Sequence, residues 1–159
     1  MCATDIINCV AGIIGLITSI VAICISISSA KRQYKIDLFN KRISYYYACD
    51  IICACCITDM EDVVPQRFEN LGIDIKGYDV EGAQFLFEEE TAEFISDIFS
   101  KWTYFCIIAH YIKNYSNNTD KNEEEFKDNK KRYEETQIFF SEARKQLLTK
   151  FEKYLKITN

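Results

Sequence analysis

Two pairs of side chains have the identities and spacing of a tetrahedral metal site. Cys49 and Cys53 stand four residues apart, as do Cys106 and His110, and positions i and i+4 project from one face of a helix. Zinc favours sulfur and imidazole nitrogen, so two such helices packed side by side would present a Cys3His set. The run Cys53-Ala54-Cys55-Cys56 also contains a Cys-x-x-Cys spacing suited to thiol redox chemistry. Neither pattern has the paired knuckles of a zinc motif. A cysteine among isoleucines and tyrosines is most often a small buried hydrophobe, and packing is the reading adopted for Cys49 to Cys56. His110, the one histidine, lies between Ile108 and Ile112 and is expected in the core or at its boundary. No metal and no cofactor is expected.

Glu89, Glu93 and Asp97 recur at four-residue intervals, a ladder whose oxygens suit a divalent cation but which reads here as a solvated helix face. A di-iron bundle would need Glu-x-x-His pairs, and the residue three before His110 is Ile107. The five glycines are dispersed without a GKS or GKT phosphate loop, and no local nucleophile motif is present. The expectation is a protein that is not an enzyme.

The elements that must position these residues divide sharply. From Ile6 to Ala30 there is no Asp, Glu, Lys or Arg, whereas the remainder of the 159 residues is densely charged. Twenty-five helical residues rise about 37 Å, enough to cross a hydrocarbon core of about 30 Å with some tilt. Within "NCVAGIIGLITSIVAICISISS", the small and polar residues Asn8, Gly12, Gly15, Ser19, Ala22, Ser26 and Ser29 are spaced alternately four and three apart. This heptad stripe drifts only about 20° per repeat and forms one gently left-handed seam. Ile13, Leu16, Ile17, Ile20, Ile23 and Ile27 occupy the other side and suit lipid.

Helices in a bilayer associate by close backbone approach and polar contacts. The seam therefore predicts a helix partner, most simply a second copy. Two other readings stand beside it: Ser and Thr can bond their own helix carbonyls in a lone anchor, or the seam can line a pore in a larger ring.

A cleaved signal peptide competes with a retained span, because Ser28-Ser29-Ala30 offers small residues to a peptidase. The stretch is longer than a signal core, its N-terminal flank lacks Lys and Arg, and cleavage would export Cys49, Cys53, Cys55, Cys56 and Cys106, an odd number. Lys31, Arg32, Lys35, Lys41 and Arg42 follow the span, while Asp5 is the charged residue before it. Basic flanks stay in the cytoplasm, so the N-terminus is expected outside and residues 31–159 inside. A reducing cytoplasm keeps the cysteines as thiols.

Beyond the span, "ISYYYACDIICACCI" (43–57) is apolar nearly all round and reads as a helix buried in the second domain. Pro65 is expected to end that helical region, and Gly72, Gly77 and Gly82 mark "GIDIKGYDVEG" as a loop. Periodicity returns at "FLFEEETAEFISDIFSKWTYFCIIAHYIKNY", where Ile95, Ile98, Trp102, Phe105, Ala109 and Ile112 share a face. After the polar "NYSNNTDKN", whose two sequons read as chance, a last helix from about Glu123 to Leu155 carries Phe126, Tyr133, Phe140, Leu147, Phe151 and Tyr154 on one side. Residues 61–100 hold eleven acidic against two basic residues, a balance of minus nine; residues 101–159 hold twelve basic against nine acidic, plus three. Neither segment is a nucleic-acid footprint. The concentrated basic patch is the juxtamembrane one, which topology and anionic lipid explain.

The segments "LFNKRISYY", "AQFLFEEETAEFISDIFSK" and "FFSEARKQLLTKFEKYLKI" resemble a group of uncharacterised bacterial single-pass membrane proteins. These share a Leu-Phe-x-Lys-Arg segment, a Phe-Leu-Phe followed by acidic residues, and a closing Phe-x-x-Tyr-Leu. The resemblance implies an all-α fold at the bacterial inner membrane and brings no catalytic residues; the Cys49 to Cys56 run lies outside it. The expected organisation is a transmembrane helix in residues 1–30 and a cytoplasmic bundle of about three helices in residues 31–159. The expected function is a self-associating membrane anchor that offers its cytoplasmic domain to a protein partner, and the alternative is a small permeabilising effector of toxin or phage-defence type.

Overall fold

The structure, a computed structural model, describes residues 3–58, 61–70, 80–115 and 123–156. The described elements are all helical: α1 (Ala3–Ile57), a 3-10 turn (Glu61–Val63), α2 (Val64–Asn70), α3 (Val80–Leu86), α4 (Glu89–Asn114) and α5 (Glu123–Leu155). The chain divides into two units, Met1–Leu38 and Phe39–Asn159.

In the first unit every side chain from 10 to 37 is exposed. Among the described residues α1 is the one helix long and apolar enough to cross a membrane. Its many β-branched residues are indifferent helix formers in water, but a helix satisfies its own backbone hydrogen bonds, which a bilayer requires.

The second unit has a continuous apolar core. From α1 it takes Tyr45, Ala48, Cys49, Ile52, Cys53, Cys55 and Cys56; from α4, Ile95, Ile98 and Phe105; from α5, Phe140, Ala143, Leu147, Phe151 and Tyr154. The spacings of three and four are those of one helix face. Fully burying a Leu, Ile or Phe side chain contributes about 1.5 to 3 kcal/mol, and Ile52, Ile95, Ile98, Leu147, Phe105, Phe140 and Phe151 are each within 1% of complete burial. Phe87 meets Tyr45, Phe151 and Tyr154 edge-on at 5.6, 5.3 and 4.9 Å between ring centres. Phe105 stacks on Tyr133 at 4.5 Å and meets Phe140 edge-on at 5.7 Å.

The last helix occupies the stretch expected from its periodicity. The middle one does not: its pattern is broken at Phe87 and Glu88, giving α3 and α4 in place of one run. The Phe87 amide closes α3 on Ala83 O at 3.0 Å, and its ring enters the aromatic core. Glu88 is extended at φ −67°, ψ 156°, and its amide donates to Tyr154 Oη at 2.9 Å. Burial of one phenyl ring thus sets the break. Arg42 ties α3 down by donating to Leu86 O at 2.9 Å while its guanidinium lies 5.0 Å over the Tyr154 ring.

Two further expectations are corrected. Pro65 does not end a helix: α1 stops at Ile57, and Pro65 stands in the first turn of α2, where its missing N–H and fixed φ are tolerated. Gly82 lies within α3 rather than a loop, and a Cβ there would come 2.8 Å from Tyr45 Oη, so close approach explains the glycine. Gly72, Gly77 and the sequon residues Ser116 to Thr119 lie outside the described residues.

Candidate interaction face on the first helix

Asn8, Gly12, Gly15, Ser19, Ala22, Ser26 and Ser29 all lie on α1 and are all exposed. Each α1 turn carries one seam residue, as the four-three spacing requires. Gly15 is the centre of a local hydrogen-bond pattern: its carbonyl accepts Ser19 Oγ at 2.8 Å and Thr18 Oγ1 at 2.9 Å. Those protons are satisfied inside the helix, which leaves the hydroxyl oxygens as acceptors toward the outside. A Cβ built on Gly12 or Gly15 meets nothing within 4 Å. The helix surface is therefore open along the glycines, with room for another backbone. The opposite side is equally exposed, with Ile13 at 55%, Leu16 at 64% and Ile17 at 54%.

The proposed ligands for a metal are separated by environment. Cys49 and Cys53 are fully buried, Cys106 is half-buried and His110 is exposed, contrary to the core or boundary position expected for this histidine. Its ring lies 3.3 Å from Asn114 Nδ2 one turn along. α4 turns Phe105 and Ala109 into the core, and the rotation of about 100° from Ala109 to the next residue sends the imidazole outward. Among the described residues no three His, Cys, Asp or Glu side chains converge as a metal site.

The thiols of Cys49 and Cys53 are poor nucleophiles. Burial, with Cys53 and Asp50 nearby, pushes Cys49 well up from its ordinary value. Burial first and then the Asp50 charge raise Cys53 to about 12. A reactive cysteine needs the opposite, a lowered pKa and access. These residues act as core.

The carboxylate ladder is brought together. Glu89, Glu93 and Asp97 line an open groove of about 580 Å³ with Gln84, Ala92 and Ser96, between α3 and α4. Ion pairs that periodicity does not reveal join distant elements: Arg144 of α5 donates to Asp50 of α1 at 2.9 Å, and Lys153 and Lys150 of α5 pair with Glu88 and Glu90 at the start of α4. The Lys150 ammonium holds the Glu90 carboxyl below its usual range. The clue in the sequence is the acidic start of α4 against the basic end of α5. Comparison of the chain with protein-family models, with curated proteins and with solved structures finds no match in any of the three.

Proposed function

We propose that this chain is a non-enzymatic single-pass membrane protein that self-associates through the seam Asn8 to Ser29 and holds its helical second unit in the cytoplasm for contact with another protein. The observation that carries the reading is the exposure of every side chain of α1 from 10 to 37. Its uncharged, largely apolar part, residues 10–30, is a surface of the size expected to be covered by lipid or protein. Lys31, Arg32, Lys35, Lys41 and Arg42 favour a cytoplasmic second unit, and resemblance to bacterial single-pass proteins favours the inner membrane. Buried, protonated thiols support a structural rather than a chemical role for the cysteines.

The test is Gly15→Leu in the full chain. Because the added side chain meets nothing in the single molecule, a loss of self-association reports contact with another helix. Association measured in detergent should weaken by about 3- to 30-fold, the effect of one polar or close contact in a membrane, while Ile17→Leu leaves it unchanged. Equal effects at both positions would overturn the seam.

A permeabilising effector is the second reading, favoured by the exposure of Asn8, Ser19, Ser26 and Ser29 along one side of the span. Overexpressed wild-type chain would then collapse a potential-sensitive dye signal and Gly15→Leu would not. A stable potential is expected, since the segment 6–30 carries no charge and intramembrane charge commonly marks ion pathways.

A further inference from the structure

Within the second unit, the two residues that part α3 from α4 are held by side chains from α1 and α5. The Phe87 ring sits in a socket of Tyr45, Phe151 and Tyr154, edge-on to all three. The Glu88 amide donates to Tyr154 Oη at 2.9 Å, and Arg42 donates through Nε to Leu86 O at 2.9 Å with its guanidinium over the same Tyr154 ring. After this point the chain is firmly fixed. Glu88 and Glu90 pair with Lys153 and Lys150, and the Glu88 carbonyl accepts the Thr91 and Ala92 amides at 2.9 Å, which starts α4. Before it the hold is slight. α3 has seven residues, too few for a helix to persist alone, and Gly82 within it lowers helix preference further. Of its described side chains Ala83 alone is buried, while Leu86 is half-buried and Phe85 is 88% exposed.

We infer that α3 is a strap that lifts from the second unit as one piece, hinged at Glu88 and latched by Arg42. Local opening occurs where few apolar contacts are lost, and lifting α3 withdraws only Ala83 and Phe87 from the core. Glu88 suits a hinge because it is extended between two helices, and hinges are such element-terminal residues. Arg42 suits a latch because it meets Leu86 O at the end of α3, where carbonyls lack helix partners and a cation is favoured. Its planar guanidinium donates and stacks at once, which an ammonium does not. Lifted, the strap uncovers Tyr45, Phe151 and Tyr154 and removes Gln84 from the wall of the groove lined by Glu89, Glu93 and Asp97. The second unit then presents two surfaces, one closed by Phe87 and one with an open aromatic socket beside an acidic groove.

The experiment is amide hydrogen exchange of the full chain in detergent, read by mass spectrometry over residues 83–88 and 95–105. In the wild type the first segment should exchange about tenfold faster than the second, since it opens without the core of α4. Arg42→Lys, which keeps the charge of the flank, should speed exchange of 83–88 by a further factor of about three to ten, the scale of one hydrogen bond, and leave 95–105 unchanged. Tyr154→Phe removes the acceptor of the Glu88 amide without touching the flank and should speed the same segment. Arg144→Lys, which alters the pairing with Asp50, should leave it unmoved. Exchange of 83–88 as slow as that of 95–105 in the wild type would overturn the strap, because α3 would then open only with the whole unit. Equal acceleration of both segments by Arg42→Lys, or acceleration by Tyr154→Phe alone, would overturn Arg42 as its latch.

Discussion

Ile17 and Ile52 belong to one helix and have opposite fates: the first is 54% exposed and the second fully buried. Both are isoleucines in largely apolar stretches of α1, so the identity of the single residue does not separate the two halves of the helix. In the second unit α4 and α5 supply complementary phenylalanines, and the helix is satisfied within its own chain. In the first unit no described element covers it, and its side chains from 10 to 37 are exposed. The amphipathic pattern tells the two apart: a narrow stripe of small residues in 8–29 against aromatic and cysteine packing in 43–57. A helix face can be apolar because it is core or, on the reading proposed above, because its solvent is not water, and the distinction lies in what the rest of the chain offers it.

The sharpest way to break this comparison is to truncate one residue in each unit. Phe140→Ala removes a fully buried ring that touches Phe105 and Phe139, and should destabilise the second unit by about 3 to 5 kcal/mol. Thermal melting in detergent, followed by circular dichroism, measures it. Ile17→Ala, with no packing partner in its own chain, should leave that transition where it is. A comparable loss from Ile17→Ala would mean that the two units are one cooperative structure.

A smaller effect comes from the cysteines of α1. A thiol whose folded pKa is raised binds its proton longer in the folded than in the unfolded chain, so stability is complete below the ordinary value of 9.0 and falls as pH climbs from there toward about 12. For Cys53 the loss by about pH 10.5 is about 2 kcal/mol, at 1.36 kcal/mol per pH unit, and Cys49 adds a loss of the same sign. Cys53→Ala should flatten the decline of melting temperature above about pH 9. An unchanged slope would mean that solvent reaches the thiol.

Much of the fold was legible in the sequence because helix periodicity reports which side is buried. On the expected face of α4 Ile95, Ile98, Phe105 and Ala109 are buried and Trp102 and Ile112 half-buried; on that of α5 Phe140, Leu147, Phe151 and Tyr154 are buried and Phe126 and Tyr133 half-buried. The break between α3 and α4 was not legible, since "FLFEEE" continues a helical pattern without glycine or proline. Only the tertiary contacts of Phe87 with Tyr45, Phe151 and Tyr154 decide it. His110 illustrates the same limit: its apolar neighbours suggest burial, but a rotation of 100° per residue places it outside the strip formed by Phe105 and Ala109. At the candidate site, spacing placed every seam residue on one helix. It could not show that Gly15 O already engages the Ser19 and Thr18 hydroxyls, which shifts the expected association from hydroxyl donation toward backbone proximity at the glycines.

The smallest expected effect separates contacts inside the chain from contacts between copies. If spans of two copies associate in parallel, as proposed above, Arg32 of one faces Asp37 of the other, five residues on; Arg32→Asp then places like charges opposite one another, as does Asp37→Arg, and each should weaken self-association by about twofold, the scale of an exposed ion pair. The double exchange restores the attraction with its direction reversed and should recover the wild-type value. Within a single molecule the two side chains stand five residues apart, beyond the three- and four-residue spacing at which helix neighbours meet, so the melting transition of the second unit should not move in any of the three variants. Four other cations, Lys31, Lys35, Lys41 and Arg42, remain in the flank to preserve the charge bias that orients a span. Recovery in the double variant, and its disappearance in high salt as exposed charges are screened, would identify a charge contact between copies. Loss that persists in the double variant would point instead to altered headgroup binding by the basic flank and would leave α1 without this link to its neighbour.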